Sequence, residues 1–506
     1  MKMKRFLSIG AVLLISTITS IAQTPSSLVP NTPSKAPDYF CTWNIQGYVC
    51  SYASGEEQRM AMTEKNMFGD STNQNWVSFF PKIRKDLYFV MDDSWDIPLE
   101  NKFTNDNVGT VELNQERFPS FTGNPTERLK KLVAAVEAKG WKGLGGWTCA
   151  QEAVAFGNVD PQAYWAERMK TAQEAGFKYW KVDWGKKSSN QEWRQMLTRL
   201  GRKYAPDLII EHAMEGKYIS FSDAYRTYDV ENIISLPVTI QRVADLLKYK
   251  PQGDAKAIIN CEDEPYIAVG MGCAIGVMRH PFAGNLPNDT VDFVFPAVGR
   301  DIKHRLDEAV RGVRWHRIAE PFGVGSDVYS IDTVALNDYW VLGKNETWNS
   351  SRKVGDRIKA SAPARVSRGL PLPEIDRSSL SRPFVLSSAY PNGAVAIVTI
   401  GRSINRKYFT EQVAVKQAIP GIDKPIGVFG DYESLTLVLP QPIKASAYTI
   451  WGQDLAGDTP MNITKEITIK GDQILIPGKV IRKVGLSAAS KGDISDPGLV
   501  LQFVKI

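Results

Sequence analysis

Histidine is nearly missing from this chain, with four residues among 506. Cysteine is scarce too: five residues, none in a Cys-x-x-Cys spacing. A structural zinc centre draws on several closely spaced thiolates and imidazoles, so these shortages argue against one. Phosphate-cradling glycine loops are also lacking, since neither Gly-x-Gly-x-x-Gly nor Gly-x-x-x-x-Gly-Lys-Ser/Thr occurs. That removes the usual nucleotide-binding readings. No block of Lys and Arg stands out, and the net charge of +6 is spread thinly, so no nucleic-acid partner is expected. Past the N-terminus no run of about 18 apolar residues suggests a membrane span in the mature chain.

The one apolar run is at the start, "MKMKRFLSIGAVLLISTITSIAQ". Lys2, Lys4 and Arg5 precede Phe6 to Ile15, and Ser20 and Ala22 supply small residues at a cleavage site. This pattern predicts a signal peptide over residues 1–22, hence export to the periplasm or medium. An oxidising compartment permits disulfides, and Cys41 with Cys50 is the candidate pair.

What the chain does have is a repeat. From 38 to 324, strand-like runs alternate with helical ones. Strands are expected at 39–44, 86–95, 141–147, 177–184, 207–213, 221–227 and 255–262, with 274–284 as an eighth. Helices are expected at 128–140, 160–176, 190–205 and 238–250. Apolar residues at 129, 132, 133 and 136 carry the helical period of the first of these. Asp160, Pro161 and Gly176 punctuate the second as N-cap, first turn and stop. Seven or eight such units over about 250 residues fit a closed (β/α)8 TIM barrel better than an open doubly wound sheet. From 325 to 506 the texture turns to short β-type runs such as "AVAIVTIG" and "ASAYTIWGQ". These predict an antiparallel β-sandwich domain, with 359–379 as a long loop and "GDQILIPGKVIRKVGL" as a hairpin.

A barrel of this kind keeps its chemistry at the C-terminal ends of its strands. The residues there are Asp92, Asp93 and Trp95 after the second strand, and Trp147 on the third. Lys181 and Asp183 end the fourth, and Glu211 and His212 the fifth. Arg226 with Asp229 follows the sixth, and Glu262 to Glu264 the seventh. A mouth so rich in carboxylates suits either a hard divalent cation or glycoside hydrolysis. The tryptophans favour the second, because an indole face stacks on the C–H bonds of a sugar. Lys181 lies two residues before Asp183, on the same side of the strand, where its charge favours the ionised carboxylate.

The order "CTWN", "MDDSWD", "FPSFTGNPTERLKKLVAAVEAKGWKGLGGW", "YWKVDW", "YRTYDV" and "INCEDEPYIAVG" resembles the α-galactosidases of glycoside hydrolase family 27 and their clan D relatives, over residues 39 to 275. The resemblance implies a retaining glycosidase that needs no metal or other cofactor. It implies Asp183 as nucleophile and Asp229 as acid/base. Asp92, Asp93, Lys181 and Arg226 become ligands of sugar hydroxyls, and Trp95 and Trp147 pocket walls; His212 joins the substrate-binding set from the fifth strand end. Four features depart from the family pattern, a divergent eighth unit among them. Ser94 stands where a cysteine is usual. The Arg226 to Asp229 spacing is one residue short, which leaves Asp223 as a substitute acid/base. The fifth strand end reads "EHAMEG". The sugar is therefore open among galactose, arabinopyranose and N-acetylgalactosamine. A catalytically inert carbohydrate-binding protein and a metal-dependent barrel enzyme are the other readings.

Overall fold

A computed structural model describes residues 25–50, 55–69, 75–99, 108–227, 234–281, 304–325, 328–343, 353–376 and 379–506. Eight strands form a closed barrel in chain order: β1 (Tyr39–Cys41), β2 (Tyr88–Met91), β3 (Gly143–Thr148), β4 (Tyr179–Val182), β5 (Ile209–His212), β6 (Ala224–Arg226), β7 (Ile258–Glu262) and β8 (Ala274–Val277). Neighbours are parallel throughout, and β8 closes on β1 with Tyr39 opposite Gly276. The closure excludes the open sheet.

Local signals explain where the outer helices start and stop. Helix Pro125–Glu137 opens with a reciprocal cap between Asn124 and Glu127, and it buries Leu129, Leu132, Val133 and Val136 against the barrel. Helix Pro161–Ala175 is capped by Asp160 and ends at Gly176, whose φ of 79° suits a residue without Cβ. Helix Gln191–Tyr204 is capped by Asn190.

Strand alternation then sorts the side chains. On β4, Trp180 and Val182 point outward, and Trp180 packs edge-on against Trp165 with ring centroids 5.8 Å apart. Tyr179 and Lys181 point inward. The barrel floor is aromatic: the Tyr39 and Tyr179 rings meet at 5.1 Å, and Tyr88 and Tyr179 at 5.9 Å. Gly145 makes room for them, because a Cβ there would lie 2.6 Å from the Cβ of Tyr179. The hydroxyls of Tyr179 and Tyr39 reach up to Glu211 and Glu262 at 2.7 and 2.9 Å. The apolar floor thus ends in two donors that each hold a carboxylate.

After helix Leu306–Trp315 the chain is almost wholly β. An eight-stranded sheet, including Phe384–Ala389, Val395–Ile400, Ile426–Phe429 and Gly498–Lys505, stacks on a five-stranded sheet built around Ala414–Ala418, Ser434–Val438 and Gln473–Pro477. Val385, Ile397, Leu437 and Ile476 fill the space between them. The other face of the larger sheet, with Leu386 and Val398, joins the barrel core. Burial on both faces accounts for the unbroken apolar run "VAIVTI".

Three expectations need correcting here. The sandwich sheets are mixed rather than purely antiparallel, since Arg365–Arg368 runs parallel to Phe384–Ala389, and Val395–Ile400 to Ile426–Phe429. Residues 359–379 are no long loop, for they include strands Arg357–Pro363, Arg365–Arg368 and Glu374–Ile375. The supposed hairpin is a strand, Gln473–Pro477, followed by helix Gly478–Gly485. Pro477 stands at the N-cap position of that helix, and Val480, Ile481 and Val484 recur at helical spacing on its buried face.

Barrel and sheets share a polar seam. Arg311, fully buried, donates to Asp454 from Nε at 2.9 Å and from an Nη at 3.1 Å. Arg368 reaches across to the carbonyls of Met271 and Gly323, and the Tyr390 hydroxyl to that of Val269. Helix Pro265–Met271, which follows β7 directly, is buried between the two layers.

Candidate active site

The C-terminal ends of the strands surround a cavity open to solvent. It is lined by Trp43, Arg59, Asp92, Asp93, Trp147, Lys181, Asp183, Trp184, Arg226, Glu262 and Met278. Seven residues expected from strand ends thus meet in one place: Asp92, Asp93, Trp147, Lys181, Asp183, Arg226 and Glu262.

Asp183 stands just past β4. One carboxylate oxygen accepts from the indole N–H of Trp147 at 3.0 Å, the other from Arg226 at 2.9 Å. A side chain only 10% exposed is thereby held by one neutral donor and one cation, and each oxygen keeps a lone pair toward the cavity. Arg226 in turn lies 3.8 Å from Glu211 and 3.9 Å from Glu262.

Lys181 is not the partner of Asp183, although both sit on the inner face of the strand. Its ammonium meets Asp92 at 2.9 Å, Glu262 at 3.0 Å and the sulfur of Cys41 at 3.2 Å. Burial alone would lower the Lys181 pKa, but its anionic neighbours, Asp92 first, hold it well above the ordinary value. Burial raises Asp92, and Lys181, the Cys41 thiol and the Asp93 N–H more than reverse that, so its carboxyl is held below the usual range. Asp93 has a different fate. Burial pushes it up to about 6, against the pull of Arg59 at 2.8 Å. Adjacent carboxyls thus differ in proton affinity because Lys181 is bound closely to only one of them.

Other expected residues lie elsewhere. His212 points out of the barrel, where alternation sends the neighbour of inward Glu211. Its ring nitrogens lie 3.1 Å from Arg194 and 3.0 Å from Thr198, on helix Gln191–Tyr204. Burial, then Arg194, drives its pKa well below the usual value, so it is neutral and takes no part in the lining. Trp95 is packing rather than wall: fully buried, it donates to the carbonyl of Trp147 at 2.9 Å and lies against Phe177. Asp223 precedes β6, at the opposite end of the barrel. It accepts from the Ile210 N–H and pairs with Arg202, so it is no substitute acid/base. Asp229 falls outside the described residues. Cys41 donates its thiol to Asp92 at 2.9 Å and is not bridged to Cys50. The acidic run after β7 divides: Glu262 faces the cavity, Asp263 pairs with Arg279 at 3.1 Å, and Glu264 accepts from Ser235.

Trp43, Arg59, Trp184 and Met278 line the cavity without having been singled out in the sequence. Met278 and Cys41 were reachable by parity, each two residues on from an inward strand residue. Arg59 was not, because it comes from the short helix Gly55–Met60 and no pattern marks it. Among the described residues no group of three or more His, Cys, Asp or Glu is arranged to hold a metal ion. Among them, too, no helix is long and apolar enough to cross a membrane.

Glu211 offers a test of the electrostatics. Burial pushes it up to about 7, against the attraction of Arg226. A carboxyl with a raised folded-state pKa binds its proton more tightly when folded, so stability is lost as pH climbs from the ordinary Glu range to about 7. Glu211→Gln should therefore gain on the wild type across that window, by an amount on the order of 1–3 kcal/mol. Urea unfolding at pH 5 and pH 8 measures it; an equal difference at both would refute the assignment.

No protein-family model matches this chain, and no curated protein does. Among solved structures, α-galactosidase I from Mortierella vinacea aligns at 12% identity, covering 92% of this chain and 96% of that one, with a TM-score of 0.38. The α-galactosidase from Saccharomyces cerevisiae with raffinose aligns at 10% identity, covering 94% and 97%, with a TM-score of 0.35. The α-L-arabinofuranosidase from Thermotoga maritima gives 10%, 95%, 98% and 0.32. At such identities and scores these likenesses do not decide function, which rests on the cavity.

Proposed function

We propose that this chain is an exported retaining exo-glycosidase that removes terminal α-D-galactosyl or closely related residues from oligo- or polysaccharides. Residues 38–324 are its catalytic barrel, and 325–506 its β-domain. The observation that carries this reading is the Asp183 carboxylate, aimed into the cavity and held on both oxygens by Trp147 and Arg226.

Three indoles among the cavity lining, Trp43, Trp147 and Trp184, offer apolar faces to a sugar ring. Asp92 and Asp93 keep acceptor capacity for hydroxyls. In the proposed reaction Asp183 attacks the anomeric carbon, the leaving oxygen takes a proton, and a glycosyl-enzyme ester forms. Water then attacks that ester, and the proton returns to the acid/base residue. Asp229 is proposed for the second role on its place in the sequence, three residues after Arg226. Arg226 stabilises Asp183 as the departing carboxylate in the second step. No step calls on a metal.

Hydrolysis of a panel of 4-nitrophenyl glycosides tests the reading. The α-galactoside is expected to be cleaved, with NMR showing the α-anomer as first product and activity surviving EDTA. Cleavage of the β-L-arabinopyranoside or the N-acetyl-α-galactosaminide instead would move the sugar but keep the mechanism. Sugar binding without cleavage would mark an inert carbohydrate-binding protein, and loss of activity in EDTA a metal enzyme.

A further inference from the structure

Lys181 is tied to the protein on the cavity floor. Its ammonium donates to Asp92 at 2.9 Å and to the Cys41 sulfur at 3.2 Å, and stands 3.0 Å from Glu262 as an ion pair. What fixes Lys181 on Asp92 becomes the question. Glu262 is well placed to do so. The Tyr39 hydroxyl pins the same Glu262 oxygen that Lys181 approaches, and the other oxygen lies 3.9 Å from Arg226. One buried carboxylate thus stands between the two cations of the cavity floor.

We propose that Glu262 is a positioning residue of this site: it keeps Lys181 on Asp92 and Arg226 on Asp183, so that the two cations serve separate carboxylates. The proposal rests on the glycosidase reading. The physical reason is competition. Lys181 is a compact charge on a flexible stem, and it shares a strand face with Asp183. Released from Glu262, it is drawn toward the second carboxylate on its own side. Asp92 then loses its orientation and Asp183 its exposed lone pairs. Glu262 itself need touch neither the sugar nor the reacting atoms.

Glu262→Gln tests this, because the amide oxygen still accepts hydrogen bonds while the charge is gone. The expected result is a fall in kcat of at least about tenfold, with KM raised as well because Asp92 loses its orientation. The acid limb of kcat/KM should also move to lower pH. A negative charge has left a site that Arg226 from β6, Arg194 from helix Gln191–Tyr204, Arg59 and Lys181 still face, along with Asp92, Asp93, Glu211 from β5, and Tyr39 and Cys41 from β1. Glu262→Asp keeps the charge and should return the acid limb to its wild-type position. Tyr39→Phe removes one hydrogen bond but no charge, and should leave the limb unmoved. A merely structural role would lower activity in all three variants without moving the limb. Unchanged kcat and an unmoved limb in Glu262→Gln overturn the proposal, as does a limb that moves equally in Tyr39→Phe. If the wild type cleaves no glycoside, the functional reading fails separately. The charge coupling is then read from tryptophan fluorescence against pH, taking the signal lost in Asp183→Asn as that of Trp147. An unchanged midpoint in Glu262→Gln, with Glu262→Asp also unchanged, overturns the proposal there.

Discussion

Asp183→Ala is expected to lower glycoside turnover by about 10⁴–10⁶-fold, the range seen when the nucleophile of a covalent mechanism is removed. The size follows from its setting. Asp183 is nine-tenths buried, and both its oxygens are aimed by fixed donors, Trp147 and Arg226. The other carboxylates of the cavity have other partners: Asp92 has Lys181, the Cys41 thiol and the Asp93 N–H, Asp93 has Arg59 and the Ser94 hydroxyl, and Glu262 has the Tyr39 hydroxyl and Lys181. None can take over attack from the same position. Asp183→Gly sharpens the test, because a small anion fits where the side chain was. Added azide should restore turnover of an activated substrate and yield a glycosyl azide of inverted configuration. Wild-type-like activity in Asp183→Ala would remove the mechanism altogether. Loss of activity without azide rescue would leave Asp183 essential but not as nucleophile. Asp92→Asn should behave differently, raising KM as well as lowering kcat, because it removes a contact present in the bound ground state.

The second large effect concerns stability. Asp454→Ala should destabilise the protein by about 3–5 kcal/mol, the cost of stripping the partner from a buried ion pair. Arg311 would keep its charge at zero exposure and lose the two-pronged contact at 2.9 and 3.1 Å. Asp454 also accepts the backbone N–H groups of Ala456 and Ala488, which would be orphaned. The double change Arg311→Met with Asp454→Asn should cost less than Asp454→Ala alone, since it leaves no uncompensated charge. Chemical unfolding of the full chain distinguishes the cases. If Asp454→Ala unfolds like the wild type, the seam adds nothing to the joint between barrel and sheets. The site should feel this joint, because helix Pro265–Met271 begins three residues after Glu262 and packs against the larger sheet.

Much of the barrel was legible because its signals are local. Asn124, Asp160 and Asn190 cap helices where side-chain chemistry says they should, and alternation along β4 places Tyr179, Lys181 and Asp183 inward. The same alternation, applied to β5, sends His212 outward once Glu211 is inward; the rule was available but the strand's phase was not. The C-terminal errors have another cause. Strand direction depends on which distant segment lies alongside, so "AVAIVTI" gave a strand without saying that Ile426–Phe429 runs parallel to it. "PGKVIRKVG" holds apolar residues at both helical and strand spacings, and only a packed neighbour chooses between them.

The division at the site has the same origin. Residue order alone determined that Asp92, Asp93, Lys181, Asp183 and Arg226 would end strands of a barrel and so gather at one mouth, because strand period and parallel closure leave them no other place. Which cation serves which carboxylate was decided only in three dimensions. Lys181 is two residues from Asp183, yet it binds Asp92, Glu262 and Cys41 from three other strands, while Arg226 comes from β6 to take Asp183. Ion pairs form by distance through space in a site of low polarity, and sequence separation carries no information about that distance.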